Sequence, residues 1–311
     1  MNSQKDKFIE KYNSIDFNAI REHPNILIAA NFWGNDRFCA ARTCYRFMRE
    51  IDDLIDNHKA SFRVIADEEK NEFFKSVNDW LKMITVTDDC NAGQQDLTKT
   101  IRTFRIPSWP LESFAKSMIY DIFHDGFPTM EAFLDYAQGA SVAPASIFVH
   151  LTGLVKKNGH YQGPSFDVKE AATPCAIFSY LVHIIRDFQK DQNNNLNYFA
   201  DDLLAQHGLT RSDLNDIAHG SPVTVNFRNL IGNYYRLADE YRHKTLGVIR
   251  KIRPLLEPAY QLSLEVIFDL YLMVFERIDV QNGKFTTEEL NPTPGETRER
   301  VYQLIMNFNP D

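Results

Sequence analysis

The chain has 311 residues, 44% hydrophobic and 13% aromatic, enough apolar surface for a large core, so disorder is not expected outside the termini. Its 34 basic and 42 acidic residues leave a net charge of −8, which argues against a nucleic-acid partner. An acidic protein that holds an anionic substrate needs metal ions or a few placed arginines.

The residues after Met1 are too polar for a secretory leader. The apolar stretch Val266–Phe275 is interrupted by Asp269 and falls short of a membrane span. Cys39, Cys44, Cys90 and Cys175 form no CxxC pair and read as reduced, mostly buried thiols. A soluble cytoplasmic protein with no transmembrane segment is expected.

Helical periodicity dominates the chain, and the spacing predicts helices over 36–59, 66–84, 93–103, 110–124, 129–154, 169–191, 224–251, 257–277 and 295–308. Pro107-Ser-Trp-Pro110 separates two of them, and Gly159, Gly163 and Pro164 mark a loop. Pro144 sits inside the fifth and should kink it. No repeat or Gly/Pro/Ser-rich linker interrupts residues 1–311. The expectation is one all-α domain, a bundle of long helices around a central cavity.

The first predicted helix carries Tyr45, Arg49, Asp52, Asp53 and Asp56. With Asp52 at zero, Asp56 falls at about 40°, Arg49 at about 60° and Tyr45 at about 20°, so one face presents two carboxylates, a guanidinium and a phenol. The sixth repeats the pattern: with Asp187 at zero, Asp191 falls at about 40°, His183 at about −40° and Tyr180 at about 20°. Large apolar neighbours flank both stripes, Phe47, Ile51, Leu54 and Ile55 in the first, which separates them from ordinary solvated acidic faces. Carboxylates suit magnesium, which binds through one or two of them together with substrate phosphates. Two such stripes facing each other would hold magnesium with a diphosphate between, the arrangement that ionises an allylic diphosphate. A di-iron bundle would need Glu-x-x-His on paired helices, and neither stripe has one.

These residues resemble the squalene/phytoene synthase family of head-to-head prenyl transferases, with the isoprenoid-synthase type of helical fold. Arg49–Asp56 is similar to its first motif, and Arg186–Asp191 with Tyr198–Leu203 to its second. Tyr136–Ala143 resembles its cavity-lining tyrosine-and-glycine segment. The resemblance implies metal-ligand roles for Asp52, Asp56, Asp187 and Asp191, and diphosphate or cavity roles for Tyr45, Arg49, Arg186, Tyr198 and Tyr271. It implies condensation of two prenyl diphosphates, farnesyl diphosphate favoured, through a cyclopropyl intermediate to a squalene- or phytoene-type product. Peripheral membrane contact would serve product release. Some members use NADPH, but this sequence carries no GxGxxG fingerprint to indicate it.

Four departures stand out. Tyr180 and His183 occupy positions where the family usually has Gln and Asn, the latter a metal ligand. Leu196 and Asn197 replace a basic residue, and His23–Leu27 stands in place of a serine-phenylalanine segment. Imidazole is a poor magnesium ligand, so His183 either donates to a diphosphate oxygen or bonds a neighbouring carboxylate. Two alternatives follow: a terpene-synthase-like or atypical prenyl transferase using one prenyl diphosphate, or a non-catalytic binding or assembly factor. The other histidines, His150 among them, and aromatics such as Trp33, Phe73, Phe74, Tyr234 and Tyr235 read as packing. The basic run from Arg236 to Arg253 reads as a solvated face.

Overall fold

The computed structural model describes residues 2–19, 24–60, 66–85 and 92–311. Cys90 and His23 lie outside the described residues. The predicted helices correspond to α3 (Asn35–Lys59), α4 (Asp67–Thr85), α5 (Ala92–Phe104), α6 (Trp109–Phe123), α7 (Met130–Ala137) with α8 (Ala143–Gly153), α9 (Val168–Arg186) with α10 (Phe188–Asn193), α13 (Val225–Ile252), α14 (Pro258–Phe275) and α16 (Pro294–Asn307). Five further helices carry too few periodic positions to have been recognised: α1 (Asn2–Asn13), α2 (Asn25–Ala30), α11 (Asp201–Gln206), α12 (Arg211–Ala218) and α15 (Thr287–Leu290).

Two expectations are corrected. The helix expected over 129–154 is interrupted by a π segment, Gln138–Val142, in which the Ala143 amide reaches back to the Gln138 carbonyl. Pro144, in the first turn of α8, has no amide to continue the α ladder, so the register shifts just before it. The helix expected over 169–191 divides at Asp187, whose φ of −93° and ψ of 5° leave the helical range. The i+4 bonds nevertheless run through the bend, from the Asp187 amide to His183 O at 2.8 Å and from the Asp191 amide to Asp187 O at 2.8 Å. Asp187 and Asp191 thus keep a one-turn relation.

The loop at Gly159 is a small antiparallel hairpin, β1 (Val155–Lys157) with β2 (His160–Gln162). Asn158 and Gly159 both have positive φ, 50° and 81°, as a two-residue hairpin turn demands.

Two apolar clusters build the interior. One gathers buried residues of α1–α6, α8, α16 and the α14 face of Leu262, Val266, Leu270 and Met273. The other gathers those of α7, α9–α13 and Phe268, Val274 and Phe275 of α14. Helix α9 lies along α13 and also meets α8 and α14, so it forms the spine of the second cluster at its boundary with the first. Tyr45 packs on the first cluster, while Tyr180, Tyr198 and Tyr271 pack on the second. The seam between the clusters is where the two aspartate stripes come together.

Trp33 and Tyr234 are fully buried, as expected, but Phe74 is 41% exposed. Cys44 is buried and its thiol is pushed up to about 12, whereas Cys39 and Cys175 are only half-buried. His150 is buried, with Nε2 donating to Phe104 O at 2.9 Å. Helix α14 is long and apolar enough to cross a membrane, yet 61% of it is buried in the fold.

Helix α6 and the π segment approach until a Cβ added at Gly139 would lie 2.1 Å from the Ser113 carbonyl oxygen, so only glycine fits there. Gly139→Ala should therefore cost about 3 kcal/mol or more, because helix backbone rather than a flexible side chain must move. Urea unfolding would check this; a loss below about 1 kcal/mol would show that the helices can separate freely.

Candidate active site

On α3, Arg49 donates to Asp52 at 2.6 Å and also pairs with Asp53. The same face carries Asp56, one turn on. Burial, then the field of Asp56, pushes the Asp52 carboxyl up to about 7. Burial, then the field of Asp121, pushes Asp56 up to about 6. Asp121, on α6, is a third acid in the group; its side chain is 12% exposed and it accepts from Lys59 at 3.1 Å and from the Tyr136 hydroxyl. Sequence reasoning missed Asp121 and Lys59. A lone acid in the apolar run Met118-Ile-Tyr-Asp-Ile-Phe123 was the available signal.

On the second stripe, Asp187 is 5% exposed, and the Arg186 guanidinium grips it through Nε at 2.7 Å and Nη2 at 2.9 Å. His183 Nε2 lies 2.7 Å from the Asp187 carboxylate. Burial alone would raise the Asp187 carboxyl, but His183 and Arg186 together hold it well below the usual carboxylate range. Burial, then the field of Asp187, pushes Asp191 up, with Asp56 adding to it from the other stripe. Burial, then Asp56, pushes up the Tyr198 hydroxyl, and Asp191 acts on the same group. The two stripes therefore face each other with Tyr198 between their fields.

Aromatic groups line the seam. The Tyr180 ring stacks on Phe133 at 5.4 Å and lies 6.2 Å from Tyr198 and 6.4 Å from Tyr136. Tyr271 is pushed up to about 12 by burial, within the fields of Arg186, Cys175, Tyr45 and Asp187. All eleven residues singled out from the sequence thus surround one region, although Arg49 and Arg186 spend part of their donor capacity on aspartates. Tyr45 also borders an apolar pocket between α2, α3 and α8, lined by Leu27, Met48, Ile147, Phe148 and Leu151 among others. Phe148 is backed by Trp33 at 4.7 Å.

The donor set fits magnesium. Among the described residues, no side chain donates a hydrogen bond to the carboxylate of Asp56 or Asp191, and both groups are raised by neighbouring like charge. Among the described residues no three acidic, histidine or cysteine groups form a ready-made cage. Carboxylate oxygens of this kind suit an ion that completes its shell with waters and substrate phosphates.

A family model described as squalene/phytoene synthase matches residues 36–297, most of the chain. The chain belongs to the squalene/phytoene synthase family. It is a prenyl transferase. No curated protein sequence matches the chain. The fold of this squalene/phytoene synthase family member is shared with a dehydrosqualene synthase solved in complex with ligand, at TM-score 0.66 and 13% identity over 99% of each chain. It is shared with the squalene synthase HpnC from Alicyclobacillus acidocaldarius, at TM-score 0.61 and 15% identity over 86% of this chain and 89% of that one. YisP from Bacillus subtilis subsp. subtilis strain 168 has TM-score 0.59 and 15% identity over 96% and 98%.

Carboxyls raised in the folded state bind more protons there than in the unfolded chain, where they titrate near 4. Stability of the metal-free protein should therefore fall as pH rises from about 4 through the values near 7 and 6 of Asp52 and Asp56. At pH 8, Asp52→Asn should stabilise the metal-free protein by roughly 2 kcal/mol. The Asp52→Asn/Asp56→Asn variant should lose that part of the slope. Thermal melts from pH 5 to 8 would show it, and identical slopes in wild type and variant would refute the repulsion.

Proposed function

We propose that this enzyme performs magnesium-dependent head-to-head condensation of two prenyl diphosphates, farnesyl diphosphate preferred, through a cyclopropyl diphosphate to a squalene- or phytoene-type product. The observation that carries this reading is the meeting of two carboxylate stripes, with Tyr45 on the face of the first stripe also bordering an apolar pocket. Asp52 and Asp56 on one side, and Asp187 and Asp191 on the other, would hold the metal. When bound, magnesium supplies the positive charge that holds the diphosphates and favours their departure.

The chain's own groups do the rest. Arg186 uses Nε and Nη2 on Asp187, which leaves Nη1 to donate to a diphosphate oxygen. Arg49 is 48% exposed at the rim and can likewise turn a donor toward phosphate. The faces of Tyr136, Tyr180 and Tyr198 stabilise an allylic cation by about 0.5–2 kcal/mol each where they approach it. The pocket bordered by Tyr45 takes a hydrocarbon tail out of water. We place the enzyme in the cytoplasm, with membrane contact limited to product release; the burial of α14 supports that reading.

One observation favours a second reading. His183 and Arg186 between them occupy both oxygens of Asp187, which weakens the second stripe as a metal site and suits ionisation of a single prenyl diphosphate.

Mass spectrometry of products after incubation with farnesyl and geranylgeranyl diphosphates decides between them: a C30 or C40 product supports condensation, and a product with one prenyl unit supports the second reading. Excess chelator should abolish turnover and added magnesium restore it; full activity in chelator would end both. Asp52→Asn and Asp187→Asn should each cost about 10³-fold or more in kcat, with the double variant losing far less than the product of the two, because they serve one cluster. Near-normal turnover in either single variant would remove its helix from the metal site.

A further inference from the structure

Lys59 follows Asp52 by seven residues, which places it about 20° from Asp52 around α3, on the same face as the first stripe. Its side chain is only 11% exposed. The ammonium donates to Asp121 Oδ1 at 3.1 Å and to the His124 carbonyl at 3.0 Å. The other Asp121 oxygen takes the Tyr136 hydroxyl. A lysine so placed pays a desolvation cost that one carboxylate and one carbonyl offset only in part, and a structural pair of this kind replaced by apolar groups is often no less stable. Asp121 is close enough that its field reaches both Asp52 and Asp56, and the Lys59 field reaches Asp56.

We propose that Lys59 is a resident counter-cation of the first aspartate stripe, a positioning residue that ties up Asp121, keeps it from joining the metal ligands, and thereby limits how tightly divalent ions bind. The inference rests on the metal reading above. With Lys59 present, Asp121 is neutralised from within the protein, and the pair left to cations that arrive with substrate is Asp52, held only by the half-exposed Arg49, and Asp56. Without it, Asp121 turns into an uncompensated acid beside the same pair. The proposal fixes a sign: removing a cation from the site should tighten metal binding, whereas removing a packing lysine should loosen it.

The test is Mn²⁺ binding to the full-length protein, followed by electron paramagnetic resonance titration with and without inorganic diphosphate, in Lys59→Met, Asp121→Asn and the double variant. Lys59→Met should bind Mn²⁺ about tenfold more tightly, the size expected when one unit charge changes beside a divalent ion in partly wet surroundings. Asp121→Asn should bind about tenfold more weakly, because the ammonium is then unbalanced. The double variant should return to within about threefold of wild type, as opposite charges removed together cancel. Unchanged or weaker binding in Lys59→Met overturns the proposal. So does a double variant as weak as Asp121→Asn, which would make Asp121 itself a ligand. Should Lys59→Met not fold, unchanged or tighter binding in Asp121→Asn overturns it instead. If wild type takes up no Mn²⁺ in either condition, the metal reading fails and the role of Lys59 with it; binding in wild type with the wrong sign in the variants sinks Lys59 alone.

Discussion

Carboxylates carried on stiff helices cannot move apart to relieve their repulsion, and much of this structure is arranged around that fact. Asp52 and Asp56 sit one turn apart on α3, and α6 presents Asp121 to both. Asp191 feels Asp187 on its own side and Asp56 from the opposite one. Backbone hydrogen bonds and packing on two separate cores hold these groups in place. The repulsion is therefore stored in the folded chain, and under the proposed function it would be relieved by positive charge entering the seam, at the expense of stability without it.

The protein's own cations divide that charge unequally. Arg49 is shared between Asp52 and Asp53 at the rim, where solvent screens it. Arg186 is largely buried and grips Asp187 with two parallel bonds, fixing both the carboxylate and its own remaining donor. His183 adds a third contact to the same carboxylate. The first stripe is thus the more open of the two, with Asp56 accepting no side-chain hydrogen bond among the described residues, and the second is half-satisfied, with Asp191 likewise without one among them.

The seam also has an apolar end. Tyr45 belongs to both regions: it shares a helical face with Asp52 and borders the pocket of Leu27, Met48 and Phe148. Phenol rings from α7, α9 and the segment before α11 cluster beside the acids. Polar recognition at one end and hydrocarbon burial at the other match an amphipathic substrate with an anionic head.

The stripes themselves were legible because i, i+4 spacing in an apolar helix is a local property, and so were most of the long helices, whose periodic faces must be buried somewhere. Tyr45, Arg49, Tyr180 and Arg186 came with them, since each lies within two turns of an aspartate. Asp121 and Lys59 were not legible: a single acid on α6 and a lysine after the motif have no partner in sequence, and only the crossing of α3 with α6 makes them a pair. The interruption at Gln138–Val142 falls just before Pro144, a break the sequence did signal, whereas the bend at Asp187 has no breaker residue to announce it. By itself the sequence determined which residues share a helix face, because that depends on a fixed rotation per residue. Which faces meet, which acid is already bonded and which is left free were decided by the tertiary structure, because those depend on distances between segments far apart in the chain.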